Sequence, residues 1–123
     1  MAVPTIDPIP TILPIQTIGT NLVNVETRIT AVGASATWTS GIRSTDGYVR
    51  ATVLGIFNES GTMYVDQSND GTNFDYSSST ATTGGTGFAI SVEIVAAYVR
   101  FRWTNGTANV TTTHRLYCYL RST

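Results

Sequence analysis

Lysine is absent from this 123-residue chain; its seven basic residues are Arg28, Arg43, Arg50, Arg100, Arg102, Arg115 and Arg121. Arginine without lysine suits planar, hydrogen-bonded pairing more than general solubility. Charge of either sign is scarce, at 12% of residues with a net charge of −1. Bulk electrostatics therefore give little attraction for nucleic acid, and none is expected as a partner. The single Cys118 excludes an internal disulfide and a cysteine-cluster zinc site. The lone His114 excludes a histidine-rich metal site. No cofactor is expected. No apolar run is long enough to span a membrane, so no membrane partner is expected. The first residues carry no basic segment and are broken by proline, unlike a signal peptide.

Proline is confined to the start: Pro4, Pro8, Pro10 and Pro14 are the only four. At that density they forbid a helix and a central strand, and favour polyproline II with three residues per turn. The isoleucines Ile6, Ile9, Ile12, Ile15 and Ile18 recur at every third position. In polyproline II they share one edge, so residues 1–21 read as an extended docking arm with an apolar stripe. At about 3.1 Å per residue its reach is roughly 65 Å. A free apolar stripe is a liability and a docked one is an interface. Gly19 and Thr20 supply the hinge out of it.

Residues 22–123 read as one all-β domain, an antiparallel sandwich of jelly-roll or immunoglobulin-like type. Strand periodicity runs through Leu22–Val32, through Gly33–Ser40 around Trp38, and through Tyr48–Phe57. In the last, Val49, Ala51, Val53 and Phe57 face one way and Arg50 and Thr52 the other. Gly61–Tyr76 reads as a hairpin turning at Ser68-Asn69-Asp70-Gly71, with Thr72–Tyr76 returning. Residues 77–87, rich in Ser, Thr and Gly, read as a loop. Phe88, Ile90, Val92 and Ile94 form one face of the next strand. Val99, Phe101 and Trp103 point inward, and Asn105-Gly106 signals a hairpin turn. In the final strand His114, Leu116, Cys118 and Leu120 share a face.

Catalytic constellations fail on spacing. His114 and Cys118, four residues apart on one strand, lie about 13 Å apart along it. A nucleophile and its base need contact near 3 Å. Both read as core residues, and the chain is not expected to be an enzyme. Asp66 to Gly71 resembles the opening of a calcium loop, but its twelfth position is Ser77 and no helices flank it, so a metal-free turn is the better reading. Three glycosylation sequons, at Asn58, Asn105 and Asn109, are expected by chance in so threonine-rich a chain. If the last two strands pair, Tyr98, Arg100, Arg102, Arg115, Tyr117, Tyr119 and Arg121 form one Arg/Tyr face. Those residue types are enriched at protein interfaces. A weakly charged, threonine-rich surface is also poorly protected against association.

From Ser35 to Leu120 the chain resembles a β-sandwich module of tailed-bacteriophage virion proteins. The matching runs are Ala36-Thr37-Trp38-Thr39-Ser40, Gly61 through Phe74 (GTMYVDQSNDGTNF), and Ala97 through Gly106 (AYVRFRWTNG). Such modules occur in head decoration proteins, baseplates and fibres. The resemblance brings no catalytic residues. The arm is similar to those by which capsid cement proteins tie neighbours together. The resemblance thus implies a capsid decoration protein on the outer surface of the virion. Its partners would be the major capsid protein and other copies of itself, as a homotrimer. The alternative is a tail, baseplate or fibre module that binds a receptor or carbohydrate, with Trp38, Tyr64 and Tyr76 as an aromatic platform.

Overall fold

Period-two alternation becomes antiparallel strands throughout the computed structural model, which describes residues 22–26 and 31–122. The described residues form nine strands and no helix. They are β1 (Leu22–Glu26), β2 (Thr37–Thr39), β3 (Arg43–Ser44), β4 (Arg50–Phe57), β5 (Gly61–Ser68), β6 (Tyr76–Thr82), β7 (Phe88–Glu93), β8 (Tyr98–Asn105) and β9 (His114–Arg121). The first sheet has the order β1-β9-β4-β7. The second runs β2-β8-β5-β6, with β3 also pairing β8. The two sheets pack as an antiparallel sandwich, the expected class. The arm, residues 1–21, lies outside the described residues, as do Thr27 to Thr30 of the expected first strand.

Apolar positions of alternating phase fill the space between the sheets. Ala51, Val53 and Phe57 of β4, and Leu116, Cys118 and Leu120 of β9, meet Met63 and Val65 of β5 and Val99, Phe101 and Trp103 of β8. Phe57 stacks on Trp103 across the two layers at 3.8 Å between centroids and 6° between planes. Burial of either ring contributes about 2–3 kcal/mol. Phe88, Ile90, Val92 and Ile94 pack on this core as expected. Val49 does not, being 49% exposed just before β4 begins. A buried polar side chain joins the layers. Gln67 on β5 donates from Nε2 to the Glu93 carbonyl (2.9 Å) and accepts at Oε1 from the Val95 N–H (2.8 Å). Within the second sheet, buried Thr82 of β6 accepts at Oγ1 from the Trp103 indole N–H of β8 (3.0 Å).

Three sequence expectations are corrected. The hairpin's second strand is not Thr72–Tyr76: residues 69–75 are loop, and β6 begins at Tyr76 opposite Gln67. Residues 77–82, expected to be loop, are the body of β6. Ser and Thr fit an exposed sheet edge, and here Ser77 Oγ donates to Asp66 Oδ1 (2.6 Å) across the pair. Asn105-Gly106 is no hairpin turn, because β8 and β9 lie in different sheets. Asn105 is 1% exposed, and its Nδ2 donates to the carbonyls of Gly33 (3.1 Å) and Asn109 (2.7 Å). Its Oδ1 accepts from the Thr107 N–H at 3.0 Å. The side chain thus pins the crossover instead of opening a two-residue turn.

Candidate interaction faces

The outer face of the second sheet is organised around a buried carboxylate. Alternation on β5 turns Thr62, Tyr64 and Asp66 outward, and on β8 it turns Tyr98, Arg100, Arg102 and Thr104 outward. Register sets Asp66 opposite Arg100 and Tyr64 opposite Arg102. Asp66 Oδ2 accepts from Arg102 Nε (2.7 Å) and Arg100 Nε (2.9 Å), and Oδ1 accepts from Arg102 Nη2 (3.0 Å). Arg102 lies over the Tyr64 ring and Arg100 over the Phe74 ring, each 4.0 Å from the centroid. The guanidiniums roof Asp66, which is 1% exposed. Burial pushes the Asp66 carboxyl up, but hydrogen bonds from Arg102, Ser77 and Arg100 outweigh it and hold the pKa below the usual range. The cluster carries one positive charge in excess.

Beside it, the 69–75 loop is shaped by Asp70. Its Oδ1 accepts from the N–H groups of Thr72 (2.8 Å) and Asn73 (2.7 Å), and its Oδ2 from Asn73 Nδ2 (2.8 Å). These bonds hold the Asp70 carboxyl far below its ordinary value. Gly71, at φ 78°, takes the left-handed residue of the turn. The likeness to a calcium loop ends here, since Asp66 turns to the arginines and Asp70 to its own backbone.

The outer face of the first sheet is of another kind. Leu54, Ile56, Arg115, Tyr117, Tyr119 and Arg121 point away from the core, with Leu54 opposite Tyr117 and Ile56 opposite Arg115. Leu54 is 48% exposed. Leu54, Ile56, Gly87, Arg115 and Tyr117 line a shallow groove of about 240 Å³. Among the described residues Arg115 and Arg121 make no ion pair; only Asp66 binds arginines that way.

The single Arg/Tyr face is therefore corrected. Because β8 and β9 belong to opposite sheets, Tyr98, Arg100 and Arg102 lie on one outer face and Arg115, Tyr117, Tyr119 and Arg121 on the other. The aromatic platform is corrected too. Trp38 pairs with the inward-facing Trp103 and packs on the core, whereas Tyr64 points outward. Cys118 is fully buried, four residues along β9 from half-buried His114. Ile6, Ile9, Ile12, Ile15 and Ile18 lie outside the described residues. Sequence reasoning missed Asp66 as a hub, and exposed Leu54 with partly buried Ile56 as an outward-facing apolar pair. The signal for the pair was present: two aliphatic residues stand in the outward phase of β4.

The sequence profile described as uncharacterised protein YqxG N-terminal domain matches residues 15–119. The chain belongs to the YqxG N-terminal domain family. The family match leaves all four prolines, with Ile6, Ile9 and Ile12, outside it. A comparison with curated proteins found no match. Among solved structures, the fold is similar to the crystal structure of PBSX exported protein XepA, with a TM-score of 0.73 at 16% identity. The match covers 83% of this chain and 37% of XepA, so the chain spans well under half of that protein. At that identity the likeness speaks for the fold.

Proposed function

We propose that this family member is a non-catalytic structural protein of a phage, acting as a capsid decoration protein. The sandwich would sit on the outer shell, and the isoleucine arm would bind the major capsid protein or an adjacent copy in a homotrimer. A ligand that binds only the mature shell stabilises it by mass action, and several arms per oligomer add avidity. The observation that carries the reading is the shared fold with a protein of the phage PBSX, joined to an exposed apolar face on the first sheet. The strand order favours the jelly-roll alternative. In it β9 lies between β1 and β4, and β8 between β2 and β5, so the last strands insert between those of the first half.

A second reading has its own support: PBSX XepA is an exported protein, so this chain would act outside the cell and apart from the particle. Quantitative mass spectrometry of purified virions and of the lysate supernatant separates the two. Decoration requires a copy number comparable to that of the major capsid protein. Absence from particles, with accumulation in the medium, overturns it in favour of the exported role.

A further inference from the structure

Leu54 and Ile56 sit at the middle of a four-stranded sheet, where no described part of the chain covers them. Tyr117 flanks them, and Tyr119 and Thr52 continue the stripe toward the Arg50–Arg121 pair. The stripe runs from Arg115 to Arg121 of β9, about 20 Å. Leu, Ile and Tyr predominate along it, and Arg115 and Arg121 stand at its ends without an ion pair among the described residues. Tyrosine-lined apolar grooves suit proline-rich extended peptides, which lose little conformational entropy on docking.

The chain holds one segment of that chemistry. Residues 6–18 combine three of the four prolines with the five isoleucines, and Asp7 is the only charged side chain before Leu22. Asp7 is opposite in sign to Arg115. In polyproline II, isoleucines three apart recur about every 9 Å, so two or three fit along the stripe. The direction of β1 decides whose stripe is filled. β1 runs antiparallel to β9 and begins with Leu22 opposite Arg121. The chain before Leu22 therefore joins at the Arg121 end, while the groove lies at the Arg115 end. An extended segment continuing the line of β1 leads away from its own groove.

We propose that the arm, residues 6–18, docks in the Leu54–Ile56–Tyr117 groove of a second copy of this chain. The proposal rests on reading the arm as a docking element and supplies the site that reading lacked.

The test uses the full chain with benzoylphenylalanine incorporated in place of Ile12. Irradiation is expected to give a covalent dimer on a denaturing gel, and peptide mapping to place the crosslink within residues 54–56 or 115–119. In the same background, Leu54→Asp is expected to lower dimer yield about tenfold. Leu54 is half exposed, so the substitution spares the core, and an unchanged melting temperature verifies this. Crosslinks confined to one chain, crosslinks to the outer face of β5 or β8, no crosslink, or a yield indifferent to Leu54→Asp would each overturn the proposal. Failure here is distinguishable from failure of the decoration reading. Crosslinked dimers of a chain absent from virions sink decoration alone, and abundant virion copies without the crosslink sink arm docking alone.

Discussion

Replacing Asp66 by Asn removes one charge and almost no volume, so it isolates the electrostatics of the second sheet's outer face. Asp66 accepts three guanidinium bonds of 2.7–3.0 Å and a hydroxyl bond of 2.6 Å. Breaking a buried ion pair by removing one partner costs about 3–5 kcal/mol. Here the arginine side chains are 30% and 28% exposed, so water screens the stranded charges. The expected loss is therefore about 2–3 kcal/mol, of the order of one or two charge-assisted hydrogen bonds. For a domain of this size that lowers the melting temperature by about 10 °C. The pH dependence is a second readout. The folded pKa of Asp66 lies below the unfolded value of about 4. Its contribution is thus fully present above the unfolded pKa and is lost as pH falls through the folded one. The gap between wild type and Asp66→Asn should stay constant from pH 7 to about pH 5 and close in stronger acid. Adding Arg102→Gln to the variant should recover part of the loss, because it removes one stranded cation. Thermal melts across pH supply both measurements. Equal melting temperatures at pH 7, or a gap that persists unchanged in strong acid, would refute the reasoning.

Thr82→Val keeps the shape of β6 but leaves the buried Trp103 indole N–H without its acceptor, and urea denaturation should show a loss of about 1–3 kcal/mol. Asn105→Ala removes the amide that pins the crossover, with an expected cost of about 2–3 kcal/mol in the same assay. Asp70→Ala should speed hydrogen exchange at the amides of Thr72 and Asn73 and leave β5 and β8 protected. Cys118, fully buried, should react with a thiol reagent only as fast as the domain opens, and mild urea should accelerate labelling in step with unfolding.

Where one side of a strand is wholly apolar, the sequence was enough. Ala51, Val53 and Phe57, then Val99, Phe101 and Trp103, then Leu116, Cys118 and Leu120, all occupy the core that alternation predicts. Legibility failed where side chains are polar on both sides. In β6, Ser77 to Thr80 carry no hydrophobic phase, and only cross-strand partners such as Asp66 make them a strand. Asn105-Gly106 misled because local turn chemistry says nothing of a side chain drawn into the interior by three carbonyls. Pairing β8 with β9 followed the habit of consecutive strands to neighbour one another. A sandwich breaks that habit whenever a connection crosses between layers. Asp66 was legible in principle: an acid in the outward phase of β5 matches arginines at alternate positions of β8. Assigning it to the neighbouring turn concealed the match.

The two outer faces differ in what they leave unsatisfied, and that difference argues which one meets a partner. On the second sheet the Asp66 oxygens are fully engaged, and both guanidiniums rest on aromatic rings. Pressing a partner there would remove water from charges already paired, with small net gain. On the first sheet Leu54 is half exposed, Ile56 and Tyr117 stand beside it, and Arg115 has no acid among the described residues. Covering that stripe removes apolar surface from water at about 25 cal/mol per Å². An unpaired cation at its end can be satisfied by a single acid on the incoming chain. The second sheet's face is thus satisfied within itself, and under the proposed arm docking the first sheet's face is the one that is covered. Substitutions that weaken assembly without lowering the melting temperature should therefore fall at Leu54, Ile56 and Tyr117, while those at Asp66 and Arg102 should do the reverse.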